Sequence, residues 1–268
     1  MLGAIIGDIC GSVYEWKPFK TGFPDTVPLV NADACFTDDS VLSVATAEAI
    51  LLQQDYATAY KKWGRRYPNA GYGGSFRNWL TQDSAEPYNS WGNGSAMRIS
   101  PVGWAFETLE ETLAEAKRSA EVTHNHPEGI KGAQSVAAAI FLARNGAGKQ
   151  EIKRYIETTF GYNLDTATQD IWPVYYFEVS CQGSVPESII SFLESRDYEH
   201  ALKIAISLGG DSDTMACIAG AIAEAFYRKI PQNLFDFARG KLKKEMLDVI
   251  DRFYDLVQDQ HEEQEDFA

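Results

Sequence analysis

Two segments of the chain, more than 170 residues apart, share one grammar. Thr37-Asp38-Asp39-Ser40 and Asp211-Ser212-Asp213-Thr214 each place two carboxylates and two hydroxyls just before an apolar run of helical spacing. Ordinary helix starts explain part of this, because Asp, Ser and Thr are favoured N-caps and a first-turn carboxylate is stabilised by the helix dipole. One oxygen per helix suffices for that. Four, leading into a run too apolar for the surface, exceed the need and would repel one another in a poorly hydrated site. A cationic partner is therefore expected, either a metal ion or Lys and Arg side chains. Oxygen donors without His or Cys select Mg²⁺, Mn²⁺ or Ca²⁺ over zinc or copper. If the two starts converge, Asp38, Asp39, Asp211 and Asp213 hold one ion or two, with Thr37 and Thr214 as neutral ligands. If they do not, they are paired caps, and spacing alone does not decide.

Three further clusters offer chemistry. In Gly7-Asp8-Ile9-Cys10-Gly11-Ser12-Val13-Tyr14-Glu15, the glycines at 3, 7 and 11 fall four apart and would line one helix face, letting a second helix approach closely. Asp8 and Glu15 are two helical turns apart, so both do not easily reach one ion while the helix persists. Glu15, just before the Trp16–Pro18 break, is the better candidate for an exposed working carboxylate. Trp91-Gly92-Asn93-Gly94-Ser95-Ala96-Met97-Arg98 and Gly71-Tyr72-Gly73-Gly74-Ser75 are glycine-rich turns whose backbone N–H groups suit a pyrophosphate. Neither matches a Walker loop or a dinucleotide fingerprint, and simple turns remain open. His124 and His126 lack a third His or a nearby Cys, so zinc is disfavoured and a loop His bonded to a ligand is preferred. His200 and His261 lie on charged helical or tail stretches.

Helices must position these residues. Val41, Ala45, Ala49 and Leu52 recur at helical spacing, Gln134–Arg144 and Met215–Tyr227 are apolar nearly all round, and Leu242, Met246, Val249, Ile250, Phe253 and Val257 form the stripe of a surface helix. Ala105–Lys117, Glu151–Phe160 and Tyr198–Leu208 also read as helices, and strand-like alternation is hard to find. Loops are expected over Lys17–Val30, Tyr67–Asn93 and Asn125–Gly129, where glycine and proline collect. The result is an all-α chain forming one compact domain over 1–257, followed by an acidic tail, 258–268. With 24 Lys and Arg against 38 Asp and Glu the net charge is −14, which opposes general binding to nucleic acid or to an anionic membrane. Four scattered cysteines, without CxxC pairs, fit free thiols, and the absence of a signal-like N-terminus or a long apolar run fits a cytoplasmic location.

Taken together, Gly3-Ala4-Ile5-Ile6-Gly7-Asp8 with Glu15, Thr37-Asp38-Asp39-Ser40, Gly92–Arg98, Thr123-His124, and Gly209–Thr214 followed by Ala219-Gly220-Ala221 resemble the ADP-ribosylglycohydrolase family. Five motifs fall in the family order from residue 3 to about 227. The resemblance implies an orthogonal multi-helix fold around two Mg²⁺ or Mn²⁺ ions. It implies Thr37, Asp38, Asp39, Asp211, Asp213 and Thr214 as metal ligands, and Glu15, Asp39 and Asp211 as the catalytic carboxylates. Gly73, Gly74, Asn93, Gly94, Ser95 and His124 would bind substrate, while Trp91, Tyr72 and Phe76 are each conceivable partners for adenine. Ser40 and Ser212 stand where the family often has Thr or another small residue.

The implied reaction is hydrolysis of the bond between ADP-ribose and a modified group, arginine of a protein first, because an acidic cleft suits a guanidinium. Serine, O-acetyl-ADP-ribose and a nucleic-acid base are the alternatives. Two other classes compete: a non-catalytic ADP-ribose binder and a metal-dependent nucleotide pyrophosphatase. The expected partner is an ADP-ribosylated protein or an ADP-ribose-type small molecule, and the expected state is a monomer.

Overall fold

A helix that is apolar on every side has to lie inside, and the run from Ser212 to Tyr227 does: every residue from Ser212 to Ala225 is buried. The computed structural model describes residues 1–84 and 86–265, with side chains through Gln258. Among these, the chain forms fifteen α-helices, one 3-10 turn (Pro24–Thr26) and no strand. Helices α1 (Leu2–Gly11), α2 (Asp38–Leu52) and α3 (Tyr56–Arg66) are followed by the shorter α4 (Gly74–Thr81), α5 (Gly94–Met97) and α6 (Ser100–Ala105). Next come α7 (Leu109–Glu121), α8 (Pro127–Arg144), α9 (Lys149–Phe160) and the brief α10 (Thr168–Ile171). The last third holds α11 (Cys181–Glu194), α12 (Tyr198–Ser207), α13 (Ser212–Tyr227), α14 (Gln232–Lys241) and α15 (Lys244–Glu265). An isolated bridge joins Gly92 to Ser180. The fold is all-α and a single domain, and no described helix is long and apolar enough to cross a membrane.

Helix α13 is the axis, touching α1, α8, α11 and α12, and its contact with α1 is the most extensive between any two helices. Small residues make that contact possible. A Cβ on Gly7 would overlap the carbonyl of Ala216, one on Gly3 would lie 2.6 Å from the Gly220 oxygen, and one on Gly11 would lie 2.5 Å from the Asp213 Cα. The two backbones therefore touch, and Ile5, Ile6, Ile9, Ile218 and Ile222 close over the seam with almost no exposure. Each such side chain contributes roughly 1.5–3 kcal/mol by leaving water.

The far end of the seam is tied by Glu224, the carboxylate in the C-terminal part of α13. Glu224 accepts from the Met1 amino group at 2.6 Å, the Gly3 N–H at 2.8 Å and the Tyr254 hydroxyl. The Leu2 N–H donates to the Tyr254 oxygen at 2.8 Å. First-turn N–H groups of α1, which a helix cannot satisfy itself, thus bind α13 and α15. The stripe Met246, Val249, Ile250, Phe253 and Val257 of α15 is buried as its spacing predicts.

Some element boundaries differ from expectation. The helix expected over Ala105–Lys117 is broken at Phe106–Thr108, because Thr108 and Glu111 form a reciprocal capping box that starts α7. The stretch Tyr67–Asn93 contains α4. The loop expected over Asn125–Gly129 stops early: the His126 side chain accepts from the Glu128 N–H and Pro127 occupies the first helical position, so α8 begins there. The backbone of α15 is helical to Glu265, across the boundary expected at 257; side chains beyond Gln258 and residues 266–268 of the expected tail lie outside the described residues.

Two glycine variants should separate contact from propensity. Gly7→Ala should lower unfolding free energy by about 3 kcal/mol or more, since neither backbone can yield a methyl's width. Gly240→Ala, on an exposed position of α14 with open space around it, should raise it by up to about 1 kcal/mol. Urea denaturation measures both.

Candidate active site

The acidic cluster is built where α1, α2 and α13 meet. Thr37 is the N-cap of α2, its hydroxyl accepting from the Asp39 N–H, so neither Asp38 nor Asp39 is spent on capping. Asp211 stands at the N-cap of α13 and makes no side-chain capping bond at all. Ahead of it Gly209 and Gly210 both have φ of +79°, a left-handed pair that turns the chain sharply into the helix. The capping account therefore leaves most of the carboxylate oxygens unexplained.

Asp8, buried inside α1, holds α2 in place from outside. Its carboxylate accepts the Thr37 N–H at 3.0 Å, the Thr37 hydroxyl at 2.7 Å, the Ser40 N–H at 3.1 Å and the Ser40 hydroxyl. Thr37 has one hydroxyl proton, and the shorter bond to Asp8 takes it. What Thr37 shows to the Asp39 Oδ2, 3.2 Å away, is then a lone pair. The other Asp39 oxygen, Oδ1, is buried with no hydrogen-bond partner.

Ligand oxygens of Asp8, Asp39 and Asp213 lie within 4.8 Å of one another, as do those of Glu15, Asp211 and Asp213, so Asp213 belongs to both groups. With Asp38, six carboxylates gather here. Among the described residues no Lys, Arg or His forms an ion pair with any of them. Lys and Arg partners, one of the options the sequence leaves open, are thus not found among the described residues. The consequence is electrostatic. Burial, then mutual repulsion, pushes Asp38, Asp39 and Asp213 well above the usual carboxylate range. Glu15 rises to about 8 by burial and by the charge of Asp213. Asp211 rises only to about 6, since burial is opposed by hydrogen bonds from Asp213 and Asn93. An orphaned buried oxygen and two all-oxygen trios without a basic neighbour fit hard divalent cations.

These residues close one end of a cleft of about 350 Å³. Glu15, Asp38, Asp39, Asp211, Asp213 and Thr214 line that end; Gly73, Gly74, Asn93, Gly94 and His124 line the walls. Helix α4 starts at Gly74, with Gly73, Gly74, Ser75 and Phe76 lining the cleft and open space beside both glycines, so a helix N-terminus with unsatisfied N–H groups borders it. The Asn93 Nδ2 donates to Asp211 at 2.7 Å and Ser184 at 3.2 Å, while its backbone N–H donates to the Val179 carbonyl. Two expected residues do not line the cleft. Thr37 faces Asp8 and Asp39, and the Ser95 hydroxyl donates to the Gly129 carbonyl at 2.7 Å, joining α5 to α8. Of the aromatic candidates, Phe76 lines the wall, Tyr72 is buried behind it, and Trp91 sits outside, edge-on to His126.

Sequence reasoning passed over Asp8 as a member of the cluster. Its signal was available: a carboxylate in a helix otherwise apolar on every side must be partnered. Because α1 ends at Gly11, Glu15 sits on the following turn and joins a different trio from Asp8. Trp16 and Phe177, stacked at 5.4 Å on the rim, come from two loops that only the fold brings together.

A sequence profile of the family described as ADP-ribosylglycohydrolase matches residues 1–263. ADP-ribosylhydrolase ARH3 of Bos taurus is 26% identical, over 87% of this chain and 86% of that protein. ADP-ribosylarginine hydrolase Tri1 of Pseudomonas putida (strain GB-1) is 27% identical, over 85% of this chain and 69% of that protein. A solved structure described as an ADP-ribosylglycohydrolase-related protein complex superposes with a TM-score of 0.73 at 23% identity, covering 96% of this chain and 95% of that one. The chain belongs to the ADP-ribosylglycohydrolase family, a class of hydrolases.

The raised carboxyls predict a pH dependence. Glu15 and Asp211 bind protons more tightly in the folded chain than at their ordinary values of 4.5 and 3.8. Between those values and about 8 and 6 the folded state holds the extra protons, so stability falls as pH rises through that window. Melting temperature in chelator should therefore drop from pH 5 to pH 8, and millimolar Mg²⁺ or Mn²⁺ should flatten the slope. A flat profile in chelator would contradict the clustered charge.

Proposed function

We propose that the chain hydrolyses the glycosidic bond between the distal ribose of ADP-ribose and a modified group, arginine of a protein first, with two Mg²⁺ or Mn²⁺ ions as cofactors. The observation that carries this reading is the pair of carboxylate trios sharing Asp213, all buried but for the half-buried Glu15, without basic partners among the described residues, in a cleft of ligand size. Asp38, Asp39, Asp211, Asp213, Thr37 and Thr214 would hold the cations. Once bound, these would neutralise the carboxylates and polarise hydroxyl and water oxygens.

The chain's own residues do the rest in this reading. The glycine turns at Gly73-Gly74 and Asn93-Gly94, with His124 through its ring, take the diphosphate, while Ser95 ties the second turn to α8. Glu15, the half-buried carboxyl beside Asp211 and Asp213, takes the proton of the attacking water. Cationic character developing at the ribose C1″ as the leaving group departs is tolerated by a carboxylate-rich site. Arginine stands first because an acidic cleft suits a guanidinium and because one relative bears the name ADP-ribosylarginine hydrolase.

A single panel tests this: ADP-ribosylated arginine, serine and nucleic-acid substrates and O-acetyl-ADP-ribose, each with Mg²⁺, Mn²⁺ or chelator. Free ADP-ribose, released with metal and not with chelator, is expected. AMP plus ribose phosphate would instead mark a pyrophosphatase, and binding without turnover a non-catalytic relative. Asp211→Ala should cut turnover by about 10²–10³-fold, several kcal/mol of transition-state stabilisation, while helical circular dichroism stays intact. Turnover retained in that variant would sink the metal-site reading.

A further inference from the structure

The cleft has a cation that the acidic cluster does not use. Arg98, at the end of α5, lines the cleft and is fully buried. It lies on the Tyr60 ring, with 4.0 Å from guanidinium carbon to ring centroid. It has no carboxylate partner among the described residues, and its Nε and Nη1 are buried without an acceptor. A buried guanidinium left this short of partners is expensive. Its remaining nitrogen, Nη2, donates to the Ser119 carbonyl and to the Thr123 hydroxyl oxygen, each at 2.9 Å.

That second bond favours a direction. A guanidinium has donors and no acceptor, so in the bond with Arg98 the Thr123 oxygen must accept. The nearest group on the other side of the hydroxyl is the Nδ1 of His124 at 2.8 Å, and the pull of the Arg98 charge on the Thr123 oxygen favours the hydroxyl as donor in that bond. A ring nitrogen that accepts carries no proton, and in a neutral imidazole the proton is then on Nε2. The Nε2 of His124 sits against the glycine turn on the cleft wall: a Cβ at Gly94 would be 3.1 Å from it and one at Gly92 3.6 Å. Burial, then the Arg98 charge, holds the imidazole well below its ordinary pKa, which agrees with a neutral ring.

We propose that Arg98 is a positioning residue: through Thr123 it locks His124 in the neutral tautomer that carries its proton on Nε2, so that the ring presents a fixed donor to a phosphate oxygen at the glycine turn. The phosphate in this statement rests on the ADP-ribose reading of the cleft. The tautomer rests on the geometry of the three side chains. His124 is then an oriented donor, with no part in proton transfer during turnover.

The test uses the full chain with ¹⁵N-labelled histidine. Long-range ¹H–¹⁵N correlation of His124, without ligand and at neutral pH, should show Nε2 protonated and Nδ1 unprotonated. Thr123→Val, which keeps the shape and removes the relay, should give a mixture of tautomers and weaken binding of ADP-ribose by about tenfold or more. Thr123→Ser should restore both. Arg98→Met should shift the tautomer in the same way; if that variant does not fold, the Thr123 pair still decides. A proton on Nδ1 in the unaltered protein, or Thr123→Val with an unchanged tautomer and affinity, overturns the proposal. Failure of the unaltered protein to bind ADP-ribose would remove the phosphate acceptor and the functional reading together, and the ligand-free tautomer distinguishes that failure from failure of the relay.

Discussion

The backbone contact between α1 and α13 is the constraint on which the rest of the structure depends. Gly3, Gly7 and Gly11 remove every side chain from one face of α1, and Ala216 and Gly220 do nearly the same on α13. Two helices in such contact bring anything attached to them close together. Asp8 rides on one and Asp213 on the other, and both end in a single trio with Asp39. A seam of larger side chains would hold the axes farther apart, at ordinary interhelical spacing. The carboxylates would then relax toward solvent instead of meeting.

Crowding six acids is costly, and the surrounding backbone moderates the cost. α2 and α13 begin at the cluster and α4 begins at the same cleft. Each start presents unsatisfied N–H groups and the positive end of a helix dipole. Asp8 draws four hydrogen bonds from Thr37 and Ser40, and Asp211 draws one from Asn93. The Asp39 Oδ1 receives none. The net charge of −14 is thus unevenly distributed: part of it is gathered in one buried place where only cations or protons can offset it.

Much of this was legible in the sequence because it is local. Unbroken apolar periodicity marked α2, α8, α13 and α15, and the acid-hydroxyl pairs marked two helix starts. The four-residue glycine spacing announced a close helix contact. What stayed hidden depends on distance in space. Nothing in residues 37–40 and 211–214 states that the two starts meet, so capping and metal binding could not be separated. On an unbroken helix Asp8 and Glu15 do not easily reach one ion, but their shared partner Asp213 comes from a different element. Ser95 sits within a recognisable motif, yet its hydroxyl serves α8. Trp16, Tyr88 and Phe177 reach the cleft from loops with no periodicity to read. The misplaced boundaries at 106–108 and 126–127 turn on single side-chain caps, which a periodicity window averages away.

Asn93 gives the site a further property. Its side chain donates to Asp211, its backbone N–H to the Val179 carbonyl, and the residue after it begins α5. The acid end of the cleft and its glycine wall thus share one amide side chain. A ligand that displaced the turn would move the donor that Asp211 now uses. By thermodynamic reciprocity, any change this made in cation affinity at Asp211 would be matched by the same factor in the turn's affinity for the ligand. Whatever coupling that shared amide carries would be the same whichever half of the cleft fills first.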